Sequence, residues 1–252
     1  MEKIYINLGH SNIDPGAVGY ETERRLNVAV SNHMRDYLLT HYVCEVKMTP
    51  GSMDSLAAIC ADANNWGASL FVSNHFNAGK GDGYEALVYN QKRVPLGEVF
   101  EKHVIAIGQN SRGVKLRPDL YVLKHTNMPA VLNEGAFVDN RKDIEDWNDE
   151  AELRAMGIAY AKAAAEYLGL EKKTPVESKD YSLTMRTLRE GSEGEDVKSL
   201  QLLLNGMGYY CGTADGIFGS KTTKAVKMYQ QAKKLTADGI VGPSTMGSLM
   251  GL

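Results

Sequence analysis

Two spacings of hydrophobic positions alternate along the first 170 residues. Short apolar runs, some alternating apolar with polar residues, indicate strands, and apolar residues three or four positions apart indicate helices. The pattern predicts strands at 4–8, 69–73, 85–89, 120–123 and 130–133, and helices at 22–39, 55–66, 96–109 and 151–168. This order predicts an α/β fold, a three-layer sandwich around a mostly parallel or mixed sheet.

The pattern changes after residue 170. Residues 171–184 are charged, include Pro175 and lack apolar periodicity, which indicates a linker between a first domain, 1–170, and a second, 185–252. The second domain is predicted to be a small all-α unit with helices at 195–207, 220–233 and 244–250. It contains an internal echo, because Ala-Asp-Gly-Ile-Phe-Gly at 214–219 returns as Ala-Asp-Gly-Ile-Val-Gly at 237–242.

Composition excludes some classes of function. The formal net charge of -3 argues against a nucleic-acid partner bound through its phosphates, and no apolar run approaches the length of about 18 residues that indicates a membrane span. Three widely spaced cysteines without a CxxC pair argue against a disulfide framework or a thiolate zinc site. The N-terminus has the pattern of a strand and shows no signal peptide. We therefore expect either accumulation in the cytoplasm or a leader that this sequence lacks.

Chemically capable side chains follow three of the predicted strands. His10 follows the first strand, His75 follows the run at 69–73, and Glu134 follows the run at 130–133. If these strands are parallel, their carboxyl ends share one edge of the sheet, where ligands bind in open α/β folds. Glu23, at the start of the first helix, is placed to reach the same edge.

Two imidazoles and one carboxylate form a usual ligand set for hydrolytic zinc, with a fourth position open to water, and a further carboxylate then serves as general base. Spacing alone leaves the assignment open. No HExxH motif is present, a single histidine after a strand is more often structural, and Glu21 competes with Glu23 as the ligand.

Four ordered motifs narrow this choice: Gly9-His10 leading to Asp14-Pro15-Gly16-Ala17, Glu23 four residues before Asn27, Ser73-Asn74-His75-Phe76-Asn77-Ala78, and Val131-Leu132-Asn133-Glu134-Gly135. With them, the first domain resembles the type 3 zinc N-acetylmuramoyl-L-alanine amidases of autolysins and phage endolysins. It departs from their pattern at Ser11-Asn12, where the family usually has two glycines, and at Asn133. The register with Asn27 favours Glu23 over Glu21.

The resemblance implies Zn²⁺ on His10, Glu23 and His75, with Glu134 as the catalytic base. It implies hydrolysis of the peptidoglycan amide between N-acetylmuramic acid and L-alanine. Asn77 and Lys115 are candidates for substrate contact, and Arg112 is an alternative to Lys115. Two other hypotheses stay open: another zinc hydrolase of the wall that cuts within the stem peptide, and a wall-binding protein without activity.

The second domain resembles the three-helix peptidoglycan-binding module. The resemblance covers Leu188–Val197, Leu200-Gln201, Gly208-Tyr209-Tyr210 and the two Asp-Gly-Ile segments. It implies bacterial peptidoglycan as the partner. Tyr209, Tyr210 and Phe218 are candidates for an aromatic surface that contacts sugar or peptide.

Overall fold

The computed structural model describes residues 1–173, 186–207, 209 and 211–250. The chain divides into two compact units, Met1–Thr174 and Pro175–Leu252. Residues 171–173, predicted to begin the linker, belong to the first unit, because Glu171 O accepts from Val43 N and Lys173 N donates to His41 O. The rest of the predicted linker, 174–184, lies outside the described residues.

A six-stranded sheet forms the centre of the first unit. Its strands are β1 (Glu2–Asn7), β2 (Cys44–Met48), β3 (Leu70–Asn77), β4 (Tyr84–Val88), β5 (Ser111–Leu116) and β6 (Ala130–Phe137). They lie in the order β2-β1-β3-β6-β4-β5. Every neighbouring pair is parallel except β4 and β6, which are antiparallel. The prediction of a mostly parallel or mixed sheet is confirmed.

Helices cover both faces of this sheet. They are α1 (Glu23–His41), α2 (Leu56–Trp66), α3 (Val94–Ile105), α4 (Tyr121–His125), α5 (Arg141–Glu145) and α6 (Glu150–Leu168). One core contains the apolar stripes of α1, α3 and α6, and a second core on the opposite face contains those of α2 and α4. The three-layer α/β sandwich expected from the sequence is therefore present.

The structure differs from the sequence prediction at four elements, α4, α5, β2 and β5, and the short helix α5 was not predicted. Residues 120–123 were expected as a strand, but Tyr121–His125 form helix α4, with Val122 and Leu123 buried in the second core. A run of four apolar residues fits a strand or a short buried helix equally well, so tertiary packing decides. Strands β2 and β5 escaped prediction because they lie at the two edges of the sheet, where their side chains are mostly half-buried or exposed.

Three helices form the described part of the second unit: α7 (Glu195–Gly206), α8 (Ser220–Ala232) and α9 (Pro243–Met250). They enclose a separate apolar core that includes Val197, Phe218 and Tyr229. The prediction of a small all-α region is confirmed. None of the helices in the described residues of either unit has the length and apolar character needed to cross a membrane.

The sequence echo in the second unit has a structural counterpart that we call the two glutamine clasps. In the first clasp, buried Gln201 donates to Asp215 Oδ1, Ile217 O and Thr222 Oγ1, and accepts from Gly216 N. In the second, buried Gln230 makes the same four bonds, to Asp238, Ile240, Thr245 and Gly239. Each clasp fixes an Asp-Gly turn against the helix that precedes it.

Candidate metal centre

The carboxyl ends of β1, β3 and β6 meet at one edge of the sheet, as the sequence predicted. The register pairs Asn7 with Ser73 and His75 with Glu134, so the residues that follow these strands converge. His10 directly follows Gly9 and has a φ of 58°. This left-handed conformation is uncommon for a residue with a Cβ and is a form of strain that occurs at functional sites.

Glu23 brings the two histidines together. Its Oε2 lies 3.0 Å from His10 Nε2, and its Oε1 lies 2.8 Å from His75 Nδ1. The carboxylate is buried, and it also accepts hydrogen bonds from the backbone N–H groups of Ala17 and Phe76. Burial alone would raise the pKa of Glu23, but the hydrogen bonds from His10 and His75 hold it well below its ordinary value.

Glu21, the competitor of Glu23 in the sequence, faces a different partner. Its Oε2 accepts from Arg25 Nε at 2.8 Å. One ligand atom from each of His10, Glu23 and His75 lies within 4.8 Å of the others. The structure therefore brings together the group that contains Glu23, and this group has the chemistry to hold a metal ion.

Gly16 tests whether this group has room for a metal. A Cβ at Gly16 would lie 2.5 Å from His10 Cδ2 and 2.6 Å from Glu23 Oε2, and Gly16 itself has a φ of 69°. The loop thus approaches the ligand atoms as closely as a residue without a side chain permits. The ligand atoms of His10, Glu23 and His75 lie within 4.8 Å of one another beside this loop. Two histidines with one carboxylate suit a metal such as zinc.

Glu134 lies on β6, directly beside His75 of β3. Its Oε2 is buried and has no hydrogen-bond partner among the described residues. Burial, together with the negative charges of Glu23 and Glu85, raises the pKa of Glu134 to about 8, whereas His10 and Arg117 act in the opposite direction. An unpartnered buried carboxylate beside a metal-ligand group is suited to accept and donate protons.

His10 has a second carboxylate partner. Its Nδ1 lies 2.7 Å from Asp14 Oδ2, while Asp14 Oδ1 accepts from Gly16 N. The hydrogen bond to Glu23, and then that to Asp14, raises the pKa of His10 to about 9 against the opposing effect of burial. Asp14 was not among the residues predicted for the site, although its spacing of four residues from His10 was visible.

The candidate substrate residues of the first unit meet at a second carboxylate, Glu85 of β4. Its side chain accepts from Arg112 Nε at 2.6 Å, from Lys115 Nζ, and from Asn77 Nδ2 at 3.3 Å. The structure thus brings Asn77, Lys115 and Arg112 into one cluster. Glu85 was missed by sequence reasoning because it lies inside a predicted strand, and its cationic partners lie on a strand that was not predicted.

An apolar cavity of about 480 Å³ adjoins the two histidines. Besides His10 and His75, its wall includes six apolar side chains: Met53, Leu56, Ile59, Leu120, Val122 and Leu132. A mostly apolar cavity with a few convergent polar groups is the usual form of a small-molecule or substrate site.

The aromatic candidates of the second unit differ in their surroundings. Phe218 is fully buried in the core, which leaves no ring surface for a ligand, so the structure corrects its expected role from polymer contact to packing. Tyr209 is half-buried and packs edge-to-face on Tyr229, with ring centroids 5.4 Å apart. Tyr210 lies outside the described residues.

Comparison with known proteins agrees with this geometry. Residues 4–166 match the family model described as N-acetylmuramoyl-L-alanine amidase. The chain belongs to this amidase family. Residues 193–249 match the model of a peptidoglycan binding domain. The enzyme is therefore a peptidoglycan amidase that acts on the bacterial cell wall and has a peptidoglycan-binding module after its amidase region.

The relatives include a bacterial amidase and a phage endolysin. The chain is 29% identical over 194 residues to the N-acetylmuramoyl-L-alanine amidase CwlM of Bacillus licheniformis, covering 74% of this chain and 77% of that protein. It is 30% identical over 184 residues to an endolysin of Bacillus phage SPP1, covering 68% of each. The solved catalytic domain of CwlV, an amidase from Bacillus (Paenibacillus) polymyxa, matches with a TM-score of 0.64 and 27% identity, over 68% of this chain and all of that domain.

Proposed function

We propose that the enzyme hydrolyses the amide between the lactyl group of N-acetylmuramic acid and the L-alanine of the stem peptide, with Zn²⁺ on His10, Glu23 and His75. The single observation that carries this proposal is the convergence of one ligand atom from each of these residues at the edge that also holds Glu134. When bound there, zinc supplies a positive charge that polarises a carbonyl, lowers the pKa of water and favours the carboxylate form of Glu134.

Glu134 acts as the general base in this proposal and then as the general acid. Its unpartnered Oε2 accepts a proton from the attacking water and delivers it to the leaving amine of L-alanine. Its raised pKa holds the proton on Glu134 between the two transfers. The adjoining apolar cavity receives the uncharged part of the substrate beside the scissile bond.

Asn77 and Lys115 contact the substrate in the same proposal. Both side chains bond to Glu85, which directly opposes Glu134 across the β4–β6 pair. The second unit, with Tyr209 and Tyr210, anchors the enzyme to its polymer. The domain division that we propose is a catalytic domain ending near residue 170, a linker through residue 184, and a wall-binding domain from residue 185.

We propose a lysin as the biological setting, supported by the similarity to the SPP1 endolysin. Such an enzyme reaches the wall only after a separate pore opens the membrane. Expression of this chain in a bacterium with a susceptible wall is then expected to cause lysis when a holin is co-expressed and none when it is omitted. Lysis without the holin contradicts this setting but not the chemistry.

The chemistry is tested by digesting purified peptidoglycan and analysing the products by mass spectrometry. Amidase action releases intact stem peptides that begin with a free L-alanine amine, and removal of zinc by a chelator stops their release until zinc is restored. Cleavage inside the stem identifies a peptidase and overturns the assignment of the bond. A zinc-loaded protein that binds the wall without releasing any product identifies a binding protein instead.

A further inference from the structure

A row of titratable side chains crosses the neighbouring strands β3, β6, β4 and β5 beside the metal-ligand group. His75 of β3 pairs with Glu134 of β6, Glu134 pairs with Glu85 of β4, and Lys115 lies on β5 in register with Leu87 of β4. Directly paired residues project from the same face of a sheet. The row therefore runs from a metal ligand, through the proposed base, to a cationic cluster at the edge.

This cluster has more positive than negative charge. Glu85 is 7% exposed and is the carboxylate that both Arg112 and Lys115 contact. Arg117, which directly follows β5, is paired with its own partner, Asp119. Within the group formed by Glu85, Arg112 and Lys115, one buried carboxylate thus faces two cations.

The two cations keep free hydrogen-bond donors toward solvent. Arg112 uses Nε for Glu85, and its two Nη groups have no hydrogen-bond partner in the described part of the chain. Its guanidinium also lies over the ring of Phe137, 5.2 Å from the centroid. The Arg112 and Lys115 side chains are 39% and 42% exposed. A fixed guanidinium fork beside an ammonium group is suited to a carboxylate.

The position of the cluster matches one group of the substrate. In the stem peptide, the glutamate that follows L-alanine is joined to the next residue through its side chain, so its α-carboxyl group is either a free carboxylate or, in some walls, a carboxamide. At about 3.5 Å per residue, this group lies roughly 7 Å from the scissile nitrogen. Strands lie about 4.8 Å apart, so cations that bond to Glu85 on the strand next to Glu134 lie within roughly 5–10 Å of the base.

We propose that Arg112 and Lys115 form a subsite for the free α-carboxylate of the second stem residue, and that Glu85 is the positioning residue that holds both cations in place. This inference rests on the proposed function, since it takes the scissile amide to lie beside Glu134. It makes the enzyme selective for walls whose second stem residue is not amidated. A carboxamide carries no charge and loses the charge-assisted part of the interaction.

The test compares two synthetic muramoyl-peptide substrates that differ only in a carboxylate or a carboxamide at the second stem residue. Wild-type enzyme is expected to show a kcat/KM about 10- to 100-fold higher on the carboxylate, the ratio that one lost charge-assisted hydrogen bond produces. The Arg112→Gln and Lys115→Met variants are expected to lose the preference, because their kcat/KM on the carboxylate substrate falls toward their value on the carboxamide. Lys115→Arg, which preserves the charge, keeps the preference.

Arg141→Gln is the matched control, because Arg141 is exposed and pairs only with Glu145 in the described structure. It is expected to retain the full preference. Equal kcat/KM of the wild type on both substrates overturns the subsite without any substitution, and so does an equal loss of rate on both substrates in the Arg112 and Lys115 variants. Failure of the wild type to cleave either substrate is a different result: it overturns the proposed function, and the subsite falls with it.

Discussion

The ring of His10 is bonded to the carboxylate of Asp14 through Nδ1, at 2.7 Å. This bond places the Nδ1 proton toward Asp14, which leaves Nε2 as the nitrogen that faces Glu23. Carboxylate partners of this kind fix the tautomer and the orientation of a metal-binding histidine. Asp14 also accepts from Gly16 N, so one side chain stabilises both the loop and the ligand.

We therefore expect Asp14→Asn to weaken zinc binding about 10- to 100-fold. The amide can still accept from Gly16 N, but it cannot favour the required tautomer of His10 as a carboxylate does. Competition with a chromophoric chelator measures the affinity directly. Asp36→Asn is the control, because Asp36 is exposed and pairs with Arg35, away from the metal centre. Equal zinc affinity in the wild type and Asp14→Asn contradicts the expectation.

Glu134→Gln separates catalysis from metal binding. The amide is nearly the same size but cannot take up a proton, so amidase activity is expected to fall by about 10²- to 10⁴-fold. Zinc content is expected to stay at the wild-type level, because Glu134 is outside the converging His10, Glu23 and His75 group. Metal analysis and release of free L-alanine amines are measured on the same sample. A zinc-loaded variant with full activity would exclude Glu134 as the base.

Gly16→Ala is expected to abolish zinc binding. The added methyl group would overlap His10 and Glu23, and the only relief is to move the ligands. Gly67→Ala is the matched control: Gly67 has a φ of 70°, nearly that of Gly16, but no atom lies within 4 Å of its Cβ position. Both variants incur the cost of a left-handed alanine, about 1 kcal/mol. Only Gly16→Ala should lose zinc in calorimetric titrations, and loss in both would point to backbone strain instead.

Asp62 on α2 gives the first unit a stability that depends on pH. It accepts from the Tyr5 hydroxyl at 2.8 Å and pairs with Lys47 at 2.6 Å. Burial by itself would raise the pKa of Asp62, but Lys47 and Tyr5 lower it below its ordinary value. A lowered folded-state pKa means that this stabilisation is complete above the unfolded value of about 3.9, and is lost as the pH falls through the folded value.

Asp62→Asn is accordingly expected to lower the free energy of unfolding by about 1 kcal/mol at pH 7, a modest effect because the ion pair is partly exposed to solvent. The difference from the wild type should shrink as the pH falls below about 3.9. Calorimetry of both proteins between pH 7 and pH 3 measures the change in melting temperature. A difference that stays constant over this range contradicts the assignment.

Gln230→Met tests the second glutamine clasp. The substitution removes four hydrogen bonds and leaves the buried N–H of Gly239 without its acceptor, which is expected to cost about 2–3 kcal/mol of stability. Gln231→Met, one residue further on and exposed, is expected to be nearly neutral. Thermal unfolding followed by calorimetry distinguishes the two variants. Equal melting temperatures would mean that the clasp contributes no net stability.

Much of the metal centre was accessible from the sequence because its parts lie at the ends of apolar strands. His75 and Glu134 follow buried runs, and once these runs are parallel their carboxyl ends must meet. The contacts that Asp14 and Glu85 make around the site could not be predicted from the sequence. The contact of Asp14 with His10 occurs in a loop where the backbone of His10 is left-handed, and Glu85 meets Arg112 because the edge strand β5 pairs with β4.

Burial also decided what periodicity left open. Phe218 stands in a turn motif, where an exposed ring would be expected, yet it fills the core of the second unit. Residues 120–123 are apolar enough for a strand, but they are not part of the six-stranded sheet. Residues 121–123 instead begin helix α4, which packs on one face of the sheet. In both cases the outcome depends on contacts far away in sequence, which single-chain patterns do not contain.

The two glutamine clasps have the same hydrogen bonds but a different number of residues between the glutamine and its Asp-Gly turn. Fourteen positions separate Gln201 from Asp215, but only eight separate Gln230 from Asp238, and the glutamine forms the same hydrogen bond to the aspartate in both. The hydrogen bonds of the glutamine side chain, and not the number of intervening residues, therefore fix each turn. A related module with a longer or shorter segment here is expected to keep the turn as long as it keeps the glutamine and the Asp-Gly pair.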